Sequence, residues 1–229
     1  MSTALEPRAV GTPADVPTMH LSEIVLDPAS RTAWTDLHDR TRLHHRIQSL
    51  FPDGYTPRHR VLYRLERRPH GPVLLVQAGL PVNGNALPRH YAARIETRDL
   101  TPLLGWATEG RTVRYRIDAN PTTARTCAAG AAHRRELRTP LSGADAVEWW
   151  ARHASAAGLD AKTVTDTRLD SITARRSEHH RPLRLPAVRF EGIADVTDSC
   201  DLYTALAHGI GQGKAFGLGL LSLAPVPRP

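Results

Sequence analysis

Cysteine and lysine are nearly absent from this 229-residue chain, and no apolar run is long enough to cross a bilayer. Cys127 and Cys200 stand alone and far apart, which excludes a disulfide framework and a cysteine-rich zinc site. The longest weakly polar run, around Phe216 to Val226, is short and glycine-rich, and the N-terminus has no apolar signal core. The expectation is a soluble cytoplasmic protein with no membrane contact. Metal motifs are missing as well: there is no H-E-x-x-H, no H-x-E with P-C-x-x-C and no dense carboxylate cluster. No cofactor is expected, and a metal-dependent nuclease is disfavoured. With only Lys162 and Lys214 as lysines, the formal net charge of +7 is carried almost entirely by arginine. That lean suits nucleic acid or another anionic surface.

What is abundant is glycine, and only in one place. Gly209, Gly211, Gly213, Gly217 and Gly219 fall within the run Gly209 to Gly219, which also holds Lys214 and leads into Leu220-Leu-Ser-Leu-Ala224. Such a backbone reaches positive φ and can approach a ligand closely. A Walker-type loop is excluded, because its first glycine and its Ser/Thr would fall on His208 and Ala215. A dinucleotide loop is excluded too, since counting from Gly209 its last glycine is Lys214 and too little chain follows for a βαβ unit. A cradle with one cation, entered from a helix and left by a strand, fits an extended anionic polymer. A packing loop between helix and strand is the plain alternative.

Along the chain, residues 1–18 are proline-spaced without periodicity and read as a disordered extension. A first strand is expected over Leu21 to Leu26, then a turn at Asp27 to Arg31, and a helix from Thr41 to Phe51 through Leu43, Ile47 and Leu50. Strands follow at Arg60–Glu66 and Pro72–Ala78, a short helix within 81–92, and a strand at Arg94–Thr97. Residues 100–110 read as a linker. Beyond it, Arg111 to Ile117 alternates, with Val113, Tyr115 and Ile117 on one face and Arg114 and Arg116 on the other. An irregular stretch reaches Pro140, Ser142 to Asp145 has capping-box spacing, and a helix carries Trp149 and Trp150, one of them expected inward. Strands at 163–174 and 186–196 flank a basic hairpin, Asp198 caps a last helix, and the glycine stretch ends in a strand. The order β-α-β-β-α-β thus occurs twice, predicting an α+β fold of two tandem ferredoxin-like domains over 19–99 and 111–226.

Clustered cations suit an RNA stem, where phosphate contacts supply affinity. Arg114, Arg116, Arg175, Arg176, Arg181 and Arg184 are the candidates, each of them alternatively a solvated surface arginine. RNA can be cut through its own 2′-hydroxyl, which needs a base, an acid and positive charge at the phosphate. One of the twelve histidines with a lysine and backbone amides could supply these.

Five stretches give the sequence a closer likeness: Met19–Arg31, Leu43-His-His-Arg-Ile-Gln-Ser-Leu-Phe-Pro52, Tyr115-Arg-Ile-Asp-Ala-Asn-Pro121, Val188-Arg-Phe-Glu-Gly192 and Gly209 to Pro225. Together, and in this order, they resemble the CasE endoribonucleases of type I-E CRISPR systems, within the RAMP superfamily. The resemblance implies metal-independent cutting at the base of a repeat hairpin and products ending in 2′,3′-cyclic phosphate and 5′-hydroxyl. It also implies that the mature crRNA stays bound within Cascade beside its other subunits. The family's catalytic histidine matches His44, with His45 beside it, and its loop lysine matches Lys214. RNA contacts are expected from His45, Arg114, Arg116, Arg175, Arg176, Gly209, Gly211, Gly213, Lys214 and Gly217. Where members often carry tyrosine three residues before the histidine, this chain has Thr41, leaving orientation of the ribose or of His44 to Tyr55 or to no side chain. That departure keeps a second class open, a subunit that binds the RNA hairpin without cutting it.

Overall fold

The computed structural model describes residues 18–55, 60–125, 137–174 and 183–227. Nearly all of the expected 1–18 extension lies outside the described residues, as do Arg175, Arg176 and Arg181.

β1 (His20–Leu26), β2 (Leu62–Arg68), β3 (Gly71–Ala78) and β4 (Ala92–Asp99) form an antiparallel sheet in the order β2-β3-β1-β4. One face is covered by α1 (Arg31–His38) and α2 (Arg40–Gln48). α2 stands where expected, because Leu43 and Ile47 turn one apolar stripe onto Ile24, Leu74 and Val76. Burying each such side chain stabilises the fold by about 1.5–3 kcal/mol. α1 is new: the Asp27–Arg31 turn runs into it, and the Ser30 hydroxyl caps it by accepting from the Ala33 N–H at 3.3 Å. With only Ala33 and Leu37 packed inward, its apolar stripe is too thin to register as a helical period. The helix expected within 81–92 is a single 3-10 turn, Gly84–Ala86, capped by Asn83. Gly84 disfavours a longer helix and Pro88 ends any continuation.

The second half repeats the plan. β5 (Thr112–Ala119) lies between β10 (Leu183–Val196) and β11 (Leu221–Pro225), while β8 (Leu159–Ala161) and β9 (Thr165–Ala174) pair with successive parts of β10. α4 (Ala144–Ser155) and α5 (Ser199–His208) supply the helices. Both sheets have the strand order of a ferredoxin-like unit, and the fold is two such units in tandem. The stretch 100–110 carries a helix, α3 (Thr101–Trp106), with proline in its first turn, and buries Leu104 in the second core. The irregular stretch before Pro140 holds a hairpin, β6 (Thr122–Arg125) with β7 (Leu137–Pro140). Ser142 does not cap α4. Gly143, at φ 56°, takes that place with no side-chain bond. Trp149 and Trp150 are both buried, not one of two, because α4 lies deep enough for Trp150 to stack on Phe190 while Trp149 passes under the glycine stretch. No helix among the described residues is long and apolar enough to cross a membrane.

The other face of the first sheet is covered by the second unit, through polar side chains. Strand alternation turns Leu62, Arg64 and Glu66 away from α2, and Arg64 and Glu66 are only 2% and 5% exposed. The Arg64 guanidinium donates to Leu220 O at 3.0 Å, Ser222 Oγ at 3.0 Å and Glu66 Oε1 at 2.8 Å. Glu66 is also reached by Arg116 at 3.4 Å and Arg189 at 3.3 Å, and Arg189 grips Asp118 through two bonds of 2.7 and 2.9 Å. Burial pushes the Glu66 carboxyl up, but the arginines outweigh it and hold it below the ordinary range. Gln77 adds a bond to Leu206 O at 2.6 Å.

Candidate active site

α2 begins at a cap, Asp39, whose carboxylate accepts from the Thr41 N–H at 2.9 Å. With Leu43 and Ile47 committed to the core, Arg40 and His44 share another stripe one turn apart, and His45 points to solvent. His44 is half-buried, its ring centroid 5.7 Å from that of His45. Burial, then the charges of His45 and Arg60, push the His44 pKa down.

Lys214 opens a 3-10 turn, Lys214–Phe216, set between two left-handed glycines, Gly213 at φ 79° and Gly217 at φ 88°. This turn packs against α2 and against β2, so the two expected catalytic residues come from different units to one place. The Tyr63 hydroxyl of β2 donates to Ala215 O at 3.1 Å and locks the turn from the first unit. Phe216 and Leu218 pack beneath with Ile172 and Leu185, at the base of the β9–β10 hairpin. Lys214 is half-buried, and burial followed by the charge of Arg60 lowers its pKa. Arg60 stands just before β2, its N–H on Ala207 O at 3.0 Å, and its exposed side chain has no ion pair among the described residues. Among the described residues it is the one cation whose charge acts on both His44 and Lys214.

The glycines do something other than the expected opening to a ligand. A Cβ at Gly209 would sit 2.8 Å from Leu62, at Gly217 2.8 Å from the Tyr63 ring, at Gly213 2.8 Å from Leu218 and at Gly211 3.1 Å from Trp149. All five glycines have φ between 70° and 88°, so both conformation and packing select them. The close approach they permit is to the protein itself, to Leu62 and Tyr63 of the first unit at Gly209 and Gly217 and to the second unit's own Trp149 and Leu218 at Gly211 and Gly213. For an anion the stretch offers backbone instead: the N–H groups of residues 211–215 meet no acceptor among the described residues. The rim is set by Arg138 of β7, from which the Gln212 side-chain amide oxygen accepts.

The remaining expected residues are spread out. Arg114 is exposed, with no ion pair among the described residues, and lines an open groove of about 450 Å³ on the second sheet. It stands roughly 13 Å along β5 from Asp118, whose carbonyl anchors the loop through the Gly219 N–H at 2.7 Å. Arg116 is held by Glu191 at 2.5 Å and by Glu66, which ties its charge into the seam between units. Tyr55 stacks on Phe51 at 5.2 Å with its hydroxyl toward the Gly79 backbone, and Thr41 is half-buried on α2. Sequence reasoning missed Arg40, Arg60, Tyr63 and Arg138. Only Arg40 carried a legible signal, its helical spacing to His44.

Residues 19–225 match the family model described as CRISPR associated protein. The chain is 33% identical to the CRISPR-associated endoribonuclease Cse3 of Thermus thermophilus, across 90% of this chain and all of that one. It is 29% identical to the CRISPR system Cascade subunit CasE of Escherichia coli, across 91% of this chain and all of the relative. Among solved structures, Thermus thermophilus Cse3 bound to an RNA representing a pre-cleavage complex superposes with a TM-score of 0.74 at 32% identity, covering 91% of this chain and all of that one. The match runs over nearly the whole length, and the chain belongs to this CRISPR-associated protein family.

Proposed function

We propose that the chain is an endoribonuclease that cuts CRISPR repeat RNA at the base of its hairpin. It stays bound to the mature crRNA as a subunit of a Cascade-type complex in the cytoplasm. Relatives named as a CRISPR endoribonuclease and as a Cascade subunit, one of them solved with RNA in a pre-cleavage state, support this reading. We take 19–99 and 111–226 as its two domains. The observation that carries the site is the packing of α2, with His44, against the turn that holds Lys214.

The 2′-hydroxyl next to the scissile phosphate is the nucleophile. Its oxygen bonds to phosphorus while the bond from phosphorus to the 5′ oxygen breaks, leaving a 2′,3′-cyclic phosphate and a 5′-hydroxyl. His44, kept neutral near pH 7 by its lowered pKa, takes the 2′ proton. Lys214, more acidic than a solvated lysine, supplies the proton that the departing 5′ oxygen needs. Its charge and the N–H groups of 211–215 oppose the negative charge that gathers on the phosphate oxygens in the transition state. The nucleophile belongs to the substrate, so the scheme needs no metal.

The test is a repeat hairpin RNA incubated with the protein in EDTA, beside His44→Ala and Lys214→Ala. One cut that survives EDTA is expected, falling by about 10²–10⁴-fold in His44→Ala with the RNA still bound. Lys214→Ala weakens binding or cleavage with the fold intact. Unchanged cutting by His44→Ala removes the histidine from the mechanism. Tight binding without any cut by the unmodified chain favours the non-cleaving subunit, the reading that Thr41 keeps open.

A further inference from the structure

Arg40 is a largely buried arginine with no partner among the described residues. Its Nη1 is buried with no hydrogen-bond acceptor, and no ion pair satisfies the side chain among the described residues. Its neighbours are treated differently. Arg42 and Arg46 on the same helix bond Asp36, at 3.4 and 2.9 Å, and the buried Arg64 has Glu66. Burying a guanidinium without a carboxylate is costly, and a charge at the first position of a helix also meets the positive end of its dipole. Burial accordingly lowers the Arg40 pKa, with the nearby Tyr63, Arg67 and Asp118 as further influences. Asp118 offers little relief, since Arg189 already takes both of its oxygens.

The location gives the orphan a use. Arg40 precedes His44 by one turn on the same stripe of α2, about 6 Å along the axis. α2 meets both β9 and the Lys214 turn here, and Tyr63, beside Arg40, is the residue that bonds Ala215. Nη1 alone is sealed. Nε and Nη2 are not among the buried unsatisfied atoms, and the residue keeps part of its surface exposed. A planar donor edge on the helix that meets β9 and the Lys214 turn, with no acceptor among the described residues, matches a phosphate group through paired N–H bonds.

We propose that Arg40 binds a phosphate of the substrate RNA adjacent to the scissile one, and that this contact supplies the anion that the described residues do not offer it. The proposal rests on the RNA-cleaving reading given above. It assigns Arg40 to binding and leaves the proton transfers to His44 and Lys214.

The experiment compares the unmodified chain with Arg40→Gln and Arg40→Lys on an in vitro transcribed CRISPR repeat hairpin, measuring Kd over a salt series and the melting temperature without RNA. For Arg40→Gln, Kd is expected to rise roughly tenfold and the slope of log Kd against log salt to fall by about one ion. The melting temperature of the free protein should hold or rise, because an unpaired buried charge has been removed. Arg40→Lys restores the slope but only part of the affinity. An unchanged Kd and slope overturn the proposal. A lowered melting temperature with an unchanged slope also overturns it, since that is the signature of a structural role. If the unmodified chain neither binds nor cuts the hairpin, the functional reading fails and takes this one with it; normal binding and cutting with a silent Arg40→Gln sinks this one alone.

Discussion

Both faces of the first sheet are buried, one beneath α1 and α2 through Ile24, Leu74 and Val76, the other against the second unit through Arg64, Glu66 and Gln77. The apolar face can yield to any side chain of similar volume, since dispersion and burial have no direction. The polar face cannot. Each bond that Arg64 makes across the units names one acceptor, Leu220 O, Ser222 Oγ or Arg116 O, and the first two sit where the chain leaves the glycine stretch and enters β11. The apolar face holds His44 onto its own unit, while the polar face sets where that unit lies relative to Lys214. The directional bonds that set catalytic geometry therefore lie mostly on the polar side of the sheet, with Tyr63 adding one from the apolar side.

The severest way to break this contrast is Arg64→Met. Glu66 would lose its closest partner in a nearly dry seam, and a cost of about 3–5 kcal/mol is expected in chemical unfolding. The sharper version is Arg64→Met with Glu66→Leu, which removes both charges together. Stability should largely return, as hydrophobic replacements of buried ion pairs often allow, while kcat on the repeat hairpin stays depressed because Arg64 no longer ties β2 to Leu220 and Ser222. Full recovery of kcat would show that the seam only holds the units together.

A smaller effect is expected from Tyr63→Phe, which removes one bond across the units. Loss of the contact with Ala215 O should cost about 1 kcal/mol, read as a lowered midpoint in urea, with kcat reduced more than KM. An unchanged kcat would mean that the Lys214 turn keeps its position without this lock.

Smallest of all is a pH effect. His44 has a lowered pKa, so activity that needs its neutral form rises with pH through a value below the ordinary 6.5 or so, and falls again as the donor Lys214 deprotonates below the ordinary lysine range. Arg60→Gln removes one of the charges that lower the His44 pKa, so the acid limb of kcat/KM should move toward higher pH. A limb that stays in place, or moves to lower pH, separates Arg60 from His44.

Much of the fold was legible because its signals are local. Alternation in Arg111 to Ile117 set which side chains of β5 point inward, and Leu43 with Ile47 set the face of α2. Asp198 caps α5 as its spacing implies, accepting from the Asp201 N–H at 2.9 Å. α1 and α3 were illegible because neither has a full apolar stripe, and the polar residues that finish them, Ser30 and Asp99, look the same in a turn. The site was half legible. His44 and Lys214 could be named, but their proximity depends on Tyr63, Arg64 and Gln77, whose partners lie in the other half of the chain and leave no periodic trace. Arg60 is an ordinary surface arginine by composition, and Arg40 differs only in its helical spacing to His44; the position beside the Lys214 turn and α2 is what distinguishes them.

Gly217 is closed to change twice over, by a φ that side chains avoid and by the ring of Tyr63 in the space a Cβ would take. Gly209 is closed in the same two ways by Leu62. A matching change in β2 would clear only the space, and the strain of the left-handed φ would remain. Lineages should therefore keep both glycines together with Leu62 and Tyr63, so the history of the loop would be written jointly with that of the strand beneath it.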